Sequence, residues 1–262
     1  MKLATFLAPG EGEAPTAGEV RGDAVVALAD GETVVDRLRS GNRTAATGRK
    51  YLLAEVTLLA PVPRPRAIFG IGLNYAAHAR EQGKDLPGQP IVFMKLPSSA
   101  AAPGAPVPCP AVVRRLDYEG ELGVVMGASG EVAGYTVCND VSARDLQGRE
   151  PQWTRAKGAD GFCPFGPWIT TADEVPDPED LRLRTWVNGE LRQDSRTSDL
   201  VFGLDELVAF IGETCTLEPG DLILTGTPSG VGMALDPPRW LASGDVVRIE
   251  IEALGTIEHP IA

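Results

Sequence analysis

The sequence predicts a β-rich α+β chain, and three observations carry that expectation. Short runs of apolar and β-branched residues recur along it, bounded by Gly, Pro, Asn or Asp. Helical patterns are few and short. The pair Asn188-Gly189 stands between two extended segments, the strongest short-range signal for a β-hairpin. A length of 262 residues suffices for one large domain, or a large domain with a small one beside it.

Residues 1–60 read as a small β-rich N-terminal subdomain. Lys2 to Leu7 is a strand, Gly18 to Asp23 a turn region and Ala24 to Leu28 a second strand. Thr33 to Leu38 is a short helix and Tyr51 to Leu59 another extended segment. Residues 61–66, Pro61-Val62-Pro63-Arg64-Pro65-Arg66, form a stiff connector, since three prolines restrict the backbone and remove donors. They mark the domain boundary.

The main domain, residues 67–262, opens with a strand at Ala67 to Gly72. A helix follows, with Asn74 as N-cap and Gly83 just past its end; His78 and Glu81, three apart, share a face of it. Pro90 to Leu96 is a strand, and Pro97 to Pro110 a loop whose Pro, Ala and Ser content suits a surface or dimer contact. Beyond an acidic stretch come a turn at Ala128-Ser129-Gly130, a strand from Val132 to Asn139 and a short helix opening at Ser142 to Asp145. Strand Leu183 to Val187 turns at Asn188-Gly189 into a returning segment, Glu190 to Gln193. An amphipathic helix, Leu204 to Ile211, stops at Gly212, and strands Leu222 to Thr225 and Val246 to Ala253 complete the chain.

The chemistry centres on Asp117 to Met126. If this run is extended throughout, Asp117, Glu119 and Glu121 point to one face. Stacked carboxylates repel one another. Facing a pocket they need a counter-charge, which a hard divalent cation with oxygen ligands supplies; Asp140 is a further candidate ligand. The alternative is an exposed acidic strand. His78 is one of two histidines. Glu81 can orient it and stabilise its charged form, which makes it an acid–base candidate if its helix closes over the carboxylates, and a structural residue otherwise. His259, near the C-terminal end, reads as a tail contact. Arg144 suits bidentate carboxylate binding, and Lys157, set among small residues, can enter a cavity and stabilise an oxyanion. A surface ion pair is the alternative for both. The loop Gly226 to Gly232 lacks the Gly-Lys-Ser/Thr ending of a phosphate-binding P-loop, but its hydroxyls and backbone N–H groups can hold a carboxylate.

With 24 basic and 36 acidic side chains, the net charge of −12 argues against general affinity for nucleic acid or an anionic membrane. It leaves an anionic substrate open, because a metal and local cations can dominate one pocket. Cys109, Cys138, Cys163 and Cys215 form no CxxC pair, and free thiols in a reducing cytosol are the simplest reading. The opening apolar run is too short for a signal peptide, and no run approaches the roughly 20 apolar residues of a membrane span. A cytoplasmic protein without membrane or nucleic-acid partners is expected.

Five elements, in order over residues 67–262, resemble the fumarylacetoacetate hydrolase family. They are Gly72-Leu-Asn-Tyr-Ala-Ala-His78-Ala-Arg-Glu81, Asp117-Tyr-Glu119-Gly-Glu121-Leu, Asn139-Asp140-Val-Ser-Ala-Arg144-Asp-Leu-Gln147, Lys157 with Gly166-Pro167-Trp168, and Leu224-Thr-Gly226-Thr227-Pro-Ser-Gly-Val-Gly. The resemblance implies a mixed β-roll catalytic domain, usually in a homodimer. It implies that Glu119, Glu121 and Asp140 bind a divalent metal, Mg²⁺ or Mn²⁺, with Ca²⁺ possible in a crystal. It further implies a catalytic dyad of His78 and Glu81 on a mobile lid, Lys157 near the substrate oxyanion, and substrate contacts from Arg144, Gln147, Gly226 and Thr227. The substrate it implies is a small anionic 2-oxo acid, bound so that the metal stabilises an enolate. Three reactions share that intermediate: hydrolysis of the C3–C4 bond of an acylpyruvate such as fumarylpyruvate, decarboxylation of oxaloacetate, and isomerisation of 2-hydroxyhepta-2,4-diene-1,7-dioate in aromatic catabolism. The presence of both dyad residues favours hydrolysis. Loss of the dyad or of a carboxylate ligand would have indicated a non-catalytic binding protein on the same fold, and none is lost.

Overall fold

A computed structural model describes residues 1–10, 12 and 14–262. Strand-forming runs dominate it because their side chains alternate between two apolar surfaces. In Gly120–Met126 all seven residues are buried. Leu122, Val124 and Met126 join one hydrophobic cluster, while Val125, between them, joins another. That period of two makes this strand the centre of the molecule and places Glu121 and Gly123 on the same side as Val125.

The strand belongs to a twelve-stranded mixed sheet. Its path runs from Lys50–Leu52 through Ala24–Ala27, Thr16–Arg21, Lys2–Leu7, Cys163–Thr171, Val132–Asn139, Gly120–Met126, Leu222–Leu224 and Ile68–Gly72 to Ile91–Lys95. Most neighbours are antiparallel, but Leu222–Leu224 runs parallel to Ile68–Gly72. The N-terminal strands continue this sheet: Lys2 and Leu3 pair with Thr170 and Ile169. A second sheet of four strands, Glu190–Arg196, Arg182–Val187, Val246–Ile251 and Gly255–Pro260, packs its Leu183, Val247, Ile249 and Ile257 into the cluster that holds Leu122 and Val124. On the other face, Val34 and Leu38 of the helix Val34–Ser40 pack with Val125, Leu222 and Leu224.

The hairpin at Asn188-Gly189 forms as expected, both residues taking positive φ (51° and 79°), which its tight turn requires. Thr33 caps its helix in a reciprocal capping box with Asp36. Four local expectations are corrected. Gly18 to Arg21 is not a turn but part of Thr16–Arg21, paired on both sides; Gly18 lies where a Cβ would meet Val25 and Phe6 at 2.6 and 2.8 Å. Tyr51 to Leu59 is broken by a 3-10 turn at Leu53–Glu55. Asn74 does not cap the next helix, Ala76–Glu81; its amide is taken by Phe202 and Thr225, far away in sequence. The acidic run is not one strand: Leu116–Asp117 pairs with Ser142–Ala143, and the chain breaks at Tyr118-Glu119 before Gly120–Met126 begins. Among the described residues no helix is long and apolar enough to cross a membrane, and all four cysteines are free thiols.

Gly123 sits where a Cβ would lie 2.4 Å from Cys138 Sγ and 2.9 Å from Thr136 Cγ2. Gly123→Ala should therefore overpack the central strand and cost about 1–3 kcal/mol. Urea unfolding of the two proteins measures it; an unchanged midpoint would contradict this packing.

Candidate active site

The break at Tyr118-Glu119 decides which carboxylates meet. Asp117 leaves the cluster: its oxygens accept N–H bonds from Gly232 (2.8 Å) and Met233 (3.1 Å) and one from Arg144 Nε (2.8 Å). Asp140 takes its place. Oxygens of Glu119, Glu121 and Asp140 lie within 4.8 Å of one another, and all three residues are buried. The expected face of Asp117, Glu119 and Glu121 is thus corrected, while the ligand set Glu119, Glu121 and Asp140 is brought together. Backbone pairing fixes the arrangement, since the Asp140 N–H donates to the Glu119 carbonyl at 2.8 Å.

Three cations surround these carboxylates. Lys157, at the end of the short helix Thr154–Lys157, donates to Glu119 Oε2 (2.5 Å) and Asp140 Oδ2 (2.6 Å). Arg144 bridges Asp117 and Glu119, reaching Glu119 Oε1 at 2.6 Å, and its third arm donates to Gln147 Oε1 at 2.9 Å. Lys95, fully buried, donates to Asp140 Oδ1 at 2.5 Å and to the Lys157 carbonyl. Sequence reasoning missed Lys95. Its signal was a lysine inside the apolar strand Ile91–Lys95, where a buried charge needs a partner.

Burial opposes ionisation of Glu119, but Arg144 and Lys157 outweigh it and hold this carboxyl well below the usual range. Glu121 behaves oppositely. Burial, then the charges of Asp140 and Glu119, push it well above the usual range. It makes no ion pair among the described residues; Oε2 accepts only the Gly226 N–H, at 2.7 Å. An all-oxygen donor set with one uncompensated carboxylate fits a hard divalent cation. Glu119, Glu121 and Asp140 would hold it, with Lys157 sharing the first and last.

His78 and Glu81 face one another on the helix Ala76–Glu81: Nδ1 to Oε1 is 2.6 Å. The carboxylate requires Nδ1 to carry the proton, so Nε2 is the basic nitrogen, and the Gln82 carboxamide at 2.6 Å fits as its donor. Glu81 Oε2 accepts the Gly230 N–H at 2.8 Å, which ties the helix to the loop Gly226–Gly232. His78, Glu119, Glu121 and Lys157 line one cleft, walled by the edge-to-face pair Phe93 and Trp153. Arg144, Gln147 and Thr227 line it as well. The N–H groups of the loop hold the protein's own carboxylates instead of an outside one: Gly226 serves Glu121, Gly230 serves Glu81 and Gly232 serves Asp117. Thr227 donates to the Gly120 carbonyl and accepts from Gln193.

His259 is not a tail contact. It is fully buried, with Nε2 2.9 Å from Asn139 Nδ2. Asn139 Oδ1 accepts the Glu119 N–H at 3.0 Å, so Nδ2 must donate to His259 and Nε2 must be unprotonated. This link runs from the last strand to the backbone of Glu119.

The sequence profile described as Fumarylacetoacetate (FAA) hydrolase C-terminal matches residues 67–262. A mitochondrial oxaloacetate tautomerase of Bos taurus, FAHD2B, is 44% identical over 250 residues, covering 88% of this chain and 80% of its own. The fumarylacetoacetate hydrolase of psychrophilic Exiguobacterium antarcticum superposes with a TM-score of 0.89 at 35% identity, over 100% of this chain and 99% of that one. The 2-hydroxyhepta-2,4-diene-1,7-dioate isomerase of Mycobacterium marinum does so with a TM-score of 0.82 at 38% identity, over 100% and 98%.

Burial pushes the His259 imidazole from 6.5 down to about 4. Between those values the unfolded chain takes up a proton that the folded chain refuses. The group leaves stability unchanged above pH 6.5 and lowers it as pH falls toward 4, by up to about 3 kcal/mol. His259→Gln, which keeps an acceptor for Asn139, should flatten that part of the curve. Unfolding free energies of both proteins across this window test it; parallel curves would remove His259 as a cause.

Proposed function

This chain belongs to the fumarylacetoacetate hydrolase family, and from that premise we propose that it moves a proton at C3 of a small 2-oxo acid, interconverting its keto and enol forms. The observation that carries the reading is one cleft with a base on one side and positive charge on the other. Of the two ring nitrogens of His78, Nδ1 is engaged by Glu81 and Nε2 is left for a substrate proton, and Lys157 stands among the oxygens of the floor.

In this reading Nε2, once Gln82 gives way, takes a proton from C3 and the C2 oxygen is protonated in turn, by the imidazolium or by water, to complete the enol; the reverse direction removes the enol O–H proton and returns a proton to C3. Glu81 keeps the ring in the required tautomer and stabilises its protonated form. Lys157 has three N–H donors and spends two on Glu119 and Asp140, which leaves one for negative charge developing on the C2 oxygen. A divalent cation held by Glu119, Glu121 and Asp140, Mg²⁺ or Mn²⁺, supplies Lewis-acid polarisation of the 2-oxo acid when bound. The cleft's apolar wall, Phe93 and Trp153, limits water around the carbanion. Support also comes from relatives: the Bos taurus protein is named for oxaloacetate tautomerisation and the Mycobacterium marinum protein for an isomerisation.

Hydrolysis of the C3–C4 bond of an acylpyruvate such as fumarylpyruvate is the second reading. The paired His78 and Glu81 favour it, because the same base can take a proton from water. A homodimer accompanies either reading; exposed Val92, Met94 and Leu96 on and beside the edge strand Ile91–Lys95 offer it an apolar surface.

Oxaloacetate, acetylpyruvate and fumarylpyruvate, each with Mg²⁺ or Mn²⁺ and with or without EDTA, separate the readings. Accelerated enol–keto interconversion without loss of carbon supports the first. Pyruvate plus a free acyl acid establishes hydrolysis instead, and CO₂ release from oxaloacetate establishes decarboxylation. Glu119→Ala and Glu121→Ala should abolish metal binding by calorimetry, together with turnover. His78→Asn should retain metal binding and lower turnover by about 10²- to 10⁴-fold. Full activity in the His78 variant would remove it as the base.

A further inference from the structure

We propose that Lys84 is a specificity residue that binds a second, distal carboxylate and so directs the enzyme to 2-oxo dicarboxylic acids. This rests on the 2-oxo acid reading above and adds the residue that selects among such acids.

The cleft is graded from a buried floor to an open rim. Glu119, Glu121 and Lys157 are buried; Gln82 and Gln147 are half-buried; Lys84 is exposed. Charge is graded too. The two cations of the cleft wall are already matched, Arg144 by Asp117 and Glu119 and Lys157 by Glu119 and Asp140. Lys84 lines the same cleft and makes no ion pair among the described residues. An acid whose 2-oxo group and adjacent carboxylate sit at the floor carries its other end toward the rim. A carboxylate there meets one unmatched cation. Asp85, next in the chain, is exposed and does not line the cleft.

Lys84 is also not a loose surface side chain at its base. The helix Ala76–Glu81 ends at Gln82, and Gly83 takes the left-handed conformation, φ 64°. The Gly83 N–H then donates to Arg80 O (3.0 Å) and the Lys84 N–H to Ala79 O (2.9 Å). These are the two bonds of a Schellman motif, which fixes the residue after the glycine to the last helical turn. That turn carries His78 and Glu81. A carboxylate held by Lys84 therefore pulls on the element that presents the base. Its loss should lower kcat as well as raise KM, because binding energy from a remote group is used to orient the reacting one.

The test compares oxaloacetate with its 4-methyl ester, the same skeleton without the second charge, in the Mn²⁺-loaded protein. The wild type should prefer the diacid by kcat/KM. Lys84→Met should reduce the diacid-to-ester ratio by at least about tenfold, in the range of a lost charge-assisted hydrogen bond. Lys84→Arg should keep most of it. Thermal shifts on adding each ligand give a readout independent of turnover and should lose the same discrimination in Lys84→Met. Turnover of diacid and ester with equal efficiency by the wild type, or an undiminished ratio in Lys84→Met, would overturn the role of Lys84 and leave the 2-oxo acid reading standing. Absence of both turnover and ligand-induced shift in the wild type would overturn both.

Discussion

Unbalanced buried charge is the constraint on which the structure depends. Around the floor of the cleft four carboxylates, Asp117, Glu119, Glu121 and Asp140, are buried with three cations, Lys95, Arg144 and Lys157. Each of these groups costs several kcal/mol to remove from water, and a group that loses its partner keeps that cost without compensation. The network is therefore satisfied collectively. Asp140 needs both lysines, Glu119 needs Arg144 and Lys157, and Asp117 needs Arg144 and three backbone N–H groups. Glu121 remains over. The protein keeps one carboxylate more than its cations can match, and a site of that kind is a receptor for positive charge.

The loop after strand Leu222–Leu224 is shaped by the same requirement. Its N–H groups can approach carboxylates only where no Cβ intervenes. A Cβ on Gly232 would lie 2.7 Å from Asp117 Oδ1 and 2.1 Å from Arg239 O; one on Gly230, at φ 104°, would lie 2.0 Å from Arg192 O. The glycines that look, in sequence, like a ligand-binding loop are thus explained by the protein's own anions. The loop still borders the cleft through Thr227, whose hydroxyl is held by Gly120 and Gln193.

Much of the site was legible because its chemistry is local in sequence. His78 and Glu81 lie one helical turn apart, and Glu119 and Glu121 are separated by the strand period. What was illegible depends on partners far away. Asn74 has the composition of a cap, but Phe202 and Thr225 compete for its amide and win. Asp117 obeys the alternation only if the strand is continuous, and its bonds to Gly232 and Met233 belong to a break that no local pattern announces. Lys95 and His259 each sit in short strands among apolar residues, and in both cases the partner, Asp140 or Asn139, is more than forty residues distant (|i−j| 45 and 120). The N-terminal residues show the same limit at the level of the sheet. The proline connector is plain in the sequence, yet Lys2–Leu7 crosses it in space to pair with Cys163–Thr171.

Placing base and floor in one cleft raises the question of what sets their separation. Side chains on a short helix such as Ala76–Glu81 are a poor ruler, since rotamers and helix ends move independently of the sheet. Here the ruler is backbone. Gly226 N–H holds Glu121 of the floor, Gly230 N–H holds Glu81 behind the base, and Gly232 N–H holds Asp117, which in turn carries Arg144. Three N–H groups of one loop thus register the metal-ligand candidates, the His78–Glu81 pair and the guanidinium against a single stretch of main chain. Movement of the helix away from the cleft must break the Glu81–Gly230 bond, and with it the hydrogen bond that fixes the tautomer of His78 loses its anchor. Glu81 is thus held from both sides, by the His78 ring at one oxygen and by the loop at the other, and the orientation of the imidazole is coupled to the contact between helix and loop.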